Sequence, residues 1–154
     1  MTFDKWASAG YLANHMARLF AQGLHARIRP LGLSPGNFPA LLELWADDGL
    51  TQKELAARLS IEQATMANTL TRMERDGLIR RTPHPADGRS QQIWLTEKAR
   101  ALEAPATEAA NAQNAVALAH LSDEERTRFV RLMTTVIASM RAAQDTPPDG
   151  EGAG

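Results

Sequence analysis

Gln63, Ala64, Thr65, Asn68, Thr69 and Arg72 fall close together in a stretch that otherwise reads as helix. Glutamine and asparagine can pair bidentately with adenine, arginine with guanine, and the methyl of threonine or alanine with that of thymine. Arg89 follows Asp87-Gly88 among turn formers. An arginine on such a tip suits the enhanced negative potential of a narrow minor groove. Asp87 is close enough to orient Arg89 or to cap its turn. Arg80 and Arg81, with Lys53 and Arg75, are cations suited to phosphate, a contact that positions a protein on a duplex without specifying sequence. Thr51, at the head of the same unit, is counted with them as a contact residue. The chemistry on offer is recognition of a duplex by hydrogen bonds and charge.

Other chemistries lack their residues. No serine sits in a strained nucleophile turn, no glycine-rich loop is built for phosphate, and no carboxylate pair lies between strands. No enzyme and no cofactor are expected. His15, His25, His84 and His120 do not share ligand spacing, so no metal site is expected. The chain has no cysteine, which excludes a disulfide framework, a cysteine zinc site and a thiol sensor. Nothing behind Met1 resembles a signal peptide, and no apolar run is long enough to span a bilayer. The expected location is the cytoplasm.

Apolar residues make up 44% of the 154 and charged residues 23%, so the chain can bury an ordinary globular core. The net charge of −1 is unevenly placed. Residues 51–100 hold nine Lys/Arg against six Asp/Glu, a net of +3, whereas the remainder holds eight against twelve, a net of −4. A mildly basic block sits in a mildly acidic carrier.

The elements that must position these residues follow from caps and periodicity. A first helix is expected over 3–29, with Leu12, Met16, Leu19, Leu24 and Ile28 near helical spacing. Pro30-Leu31-Gly32 ends it. Ser34-Pro35 reads as N-cap and first helical residue of a second helix running to about Asp47. Thr51-x-x-Glu54 is a capping box opening a short helix to Leu59. Ser60-Ile61 forms a turn, and a further helix runs from about Glu62 to Asp76. Ala56 is the small residue where the two helices cross. Leu55, Leu59, Ile61 and Met66 hold the pair on the core, and the inward set continues with Thr69 or Leu70 and with Met73. Gly77 takes the positive-φ position after the helix. Leu78 to Arg81 and Gln91 to Leu95 alternate as strands about the turn formers Pro83 to Gly88, with Ile93 and Leu95 on one face. Thr96-Glu97 caps an alanine-rich helix to about Ala119, kinked or broken near Ala101 to Pro105. Ser122-x-x-Glu125 caps a last helix with a stripe of Phe129, Leu132, Met133, Val136, Ile137 and Met140.

Capped helix, small crossing residue, polar second helix, hairpin and Leu-Thr return, in that order, describe a winged helix-turn-helix. The expected fold is mainly α with a small β-hairpin wing. The DNA-binding lobe spans 34–96, with its helix-turn-helix at 51–75 and its wing at 78–96. Helices at 3–29 and 97–142 form a dimerisation region, and residues 143–154 form a disordered tail. Dimerisation has its own argument: these helices carry apolar stripes with no other partner in so small a chain. Two recognition helices about one helical turn apart (~34 Å) would also read a palindrome.

The sequence resembles the MarR family of bacterial transcription regulators. The residues that carry the likeness are Leu50-Thr51-x-x-Glu54-Leu55-Ala56, Met73-Glu74-x-x-Gly77-Leu78-Ile79-x-Arg81, Pro83-x-Pro85-x-Asp87-x-Arg89 and Leu95-Thr96-Glu97-Lys98. The resemblance covers nearly the whole chain, and Pro105 inside the helix after the wing departs from it. It implies a six-helix winged-helix protomer, a homodimer on palindromic DNA, and release by a small aromatic or phenolic effector, the behaviour of a repressor. The family places its effector cleft between the first two helices, the helix after the wing and the DNA-binding lobe. His15, Met16, Phe38 and Trp45 are the residues for that site. Each is more readily read as core or interface: a histidine beside an apolar face is usually satisfied there, and a large aromatic is usually buried. A protein-interaction module using the same face, or a regulator without ligand, are the rival readings.

Overall fold

The computed structural model of the chain describes residues 2–146. Its elements are α1 (Ala9–Ile28), α2 (Phe38–Ala46), β1 (Leu50–Thr51), α3 (Gln52–Leu59), α4 (Gln63–Arg75), β2 (Ile79–Pro83), β3 (Gln91–Leu95), α5 (Glu97–Ala101), α6 (Glu103–Ala117) and α7 (Asp123–Asp145). The mainly helical fold with a β-hairpin is the one the sequence leads to. The chain divides within α6, after Asn114, into two compact units. Among the described residues no helix is long and apolar enough to cross a membrane, and no group of three or more His, Asp or Glu gathers as a metal site.

Most boundaries obey their caps. The Thr51 hydroxyl accepts the Glu54 N–H while Glu54 reaches back to the Thr51 N–H, the reciprocal box that opens α3. Ser122 and Glu125 repeat it at α7. There the Ser122 backbone N–H holds the Glu125 carboxyl below the ordinary carboxylate range. A depressed carboxyl stabilises above its unfolded pKa, so this cap weakens as pH falls through its folded value. Gly77 has φ 74°, as its place after α4 requires. The break foreseen before Pro105 lies at Leu102, between α5 and α6. Proline lacks the N–H that would bond back to Ala101, and the helix restarts with the Ala106 N–H on the Leu102 carbonyl (3.0 Å).

Four local readings change. The helix expected over 3–29 is interrupted at Ser8, because Asp4 caps a short 3-10 turn at Lys5–Ala7 and Ser8 then caps α1 by accepting the Tyr11 N–H. Ser34-Pro35 does not start α2. Asn37 accepts the Ser34 N–H (3.0 Å), which closes a turn, and the helix begins at Phe38 with Pro39 in its first turn. Leu50–Thr51 is a strand that the sequence did not announce, pairing Leu50 with Ile93 and Thr51 with Gln92. The tail begins later than 143, since α7 runs to Asp145; residues 147–154 lie outside the described residues.

The sheet is antiparallel, in the order β1-β3-β2. Pro83 ends β2 on the edge, where a missing donor costs no ladder bond. Ile93 and Leu95 turn inward as expected and join Ile28, Phe38, Leu41, Leu44, Leu55, Met66, Leu70 and Met73 in one core. Ile61, assigned to that core, is 37% exposed: its N–H closes the turn on the Ala56 carbonyl (3.1 Å) and its side chain points out. Asp48 knots the sheet to the next helix. Its Oδ1 accepts the N–H of Gly49 (3.1 Å) and of Leu95 (2.9 Å), and its Oδ2 pairs with Arg100 (2.9 Å).

Gly49 adopts φ 82°, and a Cβ there would meet the Trp94 ring. That ring cannot retreat easily, because its N–H bonds Thr82 Oγ1 (2.8 Å) and the Arg80 guanidinium lies over it at 5.8 Å. Gly49→Ala is expected to cost about 2–4 kcal/mol from left-handed strain and overpacking together. That lowers the melting temperature by roughly 5–15 °C. An unchanged melting curve would show that the backbone here relaxes freely.

Candidate nucleic-acid interface

α4 buries Met66, Thr69, Leu70 and Met73 along one side. At about 100° per residue the opposite side is centred on Ala64, Asn68, Thr71 and Arg75. Gln63 and Ala67 flank it on one edge, Thr65 and Arg72 on the other. Gln63, Ala64, Thr65, Asn68 and Arg72 are exposed, where the sequence reading put them. Thr69 is not: it is 7% exposed and belongs to the inward set. The sequence allowed Thr69 or Leu70 inside, and the core takes both. Ala67 and Thr71 were missed. A wheel centred on Met66, Leu70 and Met73 finds them.

The N-terminal turn of α4 is braced from α3. Gln52 Nε2 donates to the Gln63 side chain (3.2 Å) and more weakly to its carbonyl (3.4 Å). Gln52 is a residue the sequence reading passed over, because nothing local marks it. Thr51 is 8% exposed, and its hydroxyl donates to Glu54 Oε1 (2.9 Å) while accepting the Glu54 N–H. Its polar atoms are engaged in the capping box, so it shapes the unit from within instead of presenting a free hydroxyl.

The hairpin tip is ordered by side chains on backbone. His84 Nδ1 accepts the N–H of Ala86 (3.1 Å) and Asp87 (3.3 Å), and Asp87 Oδ1 accepts the N–H of Arg89 (3.1 Å). Of the two roles foreseen for Asp87, the carboxylate takes the turn cap. The His84 ring is a turn former, which composition alone did not reveal. The Arg89 guanidinium is exposed and has no ion partner among the described residues.

The other cations differ in freedom. Arg80 is exposed above Trp94. Arg75 pairs with its neighbour Asp76 (3.2 Å). The Arg81 side chain is only 20% exposed. Its Nη2 donates to Thr71 Oγ1 (3.3 Å), and its Nε lies buried 3.6 Å from Glu74 without a hydrogen bond. Arg81 therefore ties the hairpin to α4 and is not free for a phosphate as it stands. Between hairpin and helix pair lies a cavity of about 460 Å³ walled by Gln52, Lys53, Gln63, Arg81, Arg89 and Ser90.

The four residues of the second candidate site fall into two aromatic groups. His15 is half-buried, with its ring stacked on Tyr11 (6.1 Å, 6°) and edge-on to Trp6 (6.3 Å); Met16 is half-buried beside it in sequence. Phe38 is 5% exposed in the core, with Trp45 edge-on at 6.1 Å. The Trp45 N–H donates to the Ala99 carbonyl (3.0 Å), which fixes α2 against α5. No ring contact among the described residues joins the two groups.

The chain is similar to transcription regulators. The model of the MarR family matches residues 33–91. An HTH-type transcriptional repressor of Mycobacterium tuberculosis is 31% identical over 127 residues, which cover 82% of this chain and 91% of the relative. A MarR transcriptional regulator from Methanosarcina mazei superposes with a TM-score of 0.82 over 87% of this chain and 96% of that one, at 24% identity, a likeness of fold. The transcriptional repressor CouR, solved on a 23-mer DNA duplex, gives 0.75 over 90% of this chain and 98% of its own, at 27% identity.

Proposed function

The chain belongs to the MarR family and is a transcription regulator, not an enzyme, and on that premise we propose that it represses as a homodimer on a pseudo-palindromic operator and is released by a small aromatic effector. The observation that carries the DNA contact is the exposed face of Ala64, Asn68 and their neighbours on α4 beside Arg89 on the hairpin, which has no ion partner among the described residues. The helix would enter the major groove and the hairpin the adjacent minor groove. The relative's name as a repressor and the CouR complex support the same direction. Titration of a labelled duplex from the flanking intergenic region should show affinity that falls steeply with salt, because phosphate contacts release counterions. No binding even at low salt would sink the reading.

The dimer is supported by α7. It has no buried residue, yet Leu132, Met133, Val136, Ile137 and Met140 line one stripe at helical spacing and are 40–61% exposed. For the effector, the half-buried Tyr11–His15 stack offers aromatic surface and a polar tip. A phenolic acid at 100 times its Kd should stabilise the protein by about 2.7 kcal/mol in a thermal-shift assay. His15→Ala should abolish that shift. An equal shift in both proteins would remove His15 from the site, and no shift with any aromatic acid would favour a regulator without ligand.

A further inference from the structure

α4 has a cavity on each flank. The one on the hairpin side is described above. The other, of about 300 Å³, is walled by Thr69, Arg72 and Arg75 of α4 and by Ser34, Gly36 and Asn37 of the turn before α2. We propose that this second cavity seats a backbone phosphate, on the DNA strand across the groove from the one facing the hairpin, and that Arg72 is a phosphate clamp and not a reader of guanine. The proposal rests on the DNA-binding reading.

The first argument is geometric. An α-helix with side chains is about 10–12 Å wide, and the major groove is about 12 Å wide. A helix seated there has a sugar–phosphate backbone against each flank. Residues at the centre of its outer face meet bases; residues turned about 70–100° from that centre meet phosphates. Asn68 and Ala64 are central. Arg72 is on the flank, and the turn at 34–37 stands beside it.

The second argument is the donor inventory. Thr69 and Asn37 are more than nine-tenths buried, at 7% and 9% exposure, and both line the cavity. The Thr69 hydroxyl makes no hydrogen bond among the described residues, and its oxygen is not one of the sealed, unsatisfied atoms, so it keeps contact with solvent although the residue is mostly buried. Asn37 directs its oxygen to the Ser34 N–H, which leaves its NH₂ to donate. The Gly36 N–H makes no backbone bond, and the Arg72 guanidinium has no ion partner among the described residues. Hydroxyls, an amide and a guanidinium line this one cavity. The one carboxylate at the wall, Asp76, is neutralised by Arg75. That inventory suits an oxyanion that arrives from outside.

The test needs no operator, because binding to a random-sequence duplex depends on phosphates and hardly on bases. The full chain is titrated against a labelled 30-base-pair duplex of random sequence at several salt concentrations. For Arg72→Gln the slope of log K against log salt should shrink by about 0.9 per seat, and Arg72→Lys should restore it. Asn68→Ala should leave the slope unchanged. Ser34→Asp keeps a side chain that caps turns but puts a carboxylate in the mouth of the seat, and affinity at low salt should fall at least tenfold. Gly36→Asp, at an exposed position, makes the same test should Ser34→Asp unfold. Wild-type affinity and slope in both Arg72→Gln and Ser34→Asp overturn the seat. So does a loss confined to Arg72→Gln, which would place its contact elsewhere. Failure of the wild type to bind any duplex at low salt instead removes the DNA-binding reading, and the seat with it.

Discussion

Arg89→Ala is expected to weaken operator binding by on the order of 100-fold while leaving the fold intact. An arginine–DNA contact is worth about 1–3 kcal/mol, a dimer presents two, and each 1.4 kcal/mol is tenfold. The lower part of that range applies, since a hairpin tip remains partly solvated. Stability should not change, because among the described residues the Arg89 side chain has no ion or hydrogen-bond partner, while its backbone N–H is engaged by Asp87. Asp87→Ala should weaken binding less, by loosening the turn that presents the arginine. Arg89→Lys should recover part of the loss, as charge without the planar fork. Affinity within a factor of two of wild type for Arg89→Ala, measured by anisotropy, would mean that the tip does not reach the groove.

The double substitution Val136→Glu, Ile137→Glu is expected to give a folded monomer whose operator affinity drops at least 100-fold. The two side chains are 57% and 53% exposed, so the protomer loses little packing of its own. At a seam between copies, the same change would bury like charges without partners. DNA affinity falls because linked binding of two half-sites raises avidity by about 10²–10⁴. Sedimentation equilibrium should report half the wild-type mass. A variant that stays dimeric would place the seam off this stripe.

The reading head was legible because its signals are local. Thr51 and Glu54 form a box within one turn, Gly77 is forced by its φ, and the hairpin is bounded by turn formers on the page. What escaped depends on groups far along the chain or on competition between near equals. β1 is two residues long and exists only because Ile93 and Gln92 arrive beside it. Ser34-Pro35 has the pattern of a helix start, but the Asn37 carboxamide takes the Ser34 N–H first. Thr69 is small and amphipathic, so spacing alone allowed either side of α4; burial decides it. Arg80, Arg81 and Arg89 look alike in sequence. Trp94, the Thr71–Glu74 pair and open solvent give them three different degrees of freedom.

The Asp48 knot has a mechanical consequence. One carboxylate holds the last residue of β3 and, through Arg100, the helix that follows. The hairpin and α5 are thereby geared to a common pivot. β3 is five residues long, so the tip stands roughly 17–20 Å from that pivot at about 3.4 Å per residue. A rocking of α5 by only ~5° would sweep the tip through about 1.5 Å, enough to make or break a hydrogen bond at its end. A small tilt at the base of the hairpin is thus amplified, by lever arm alone, into a displacement at the Arg89 tip on the scale of one hydrogen bond.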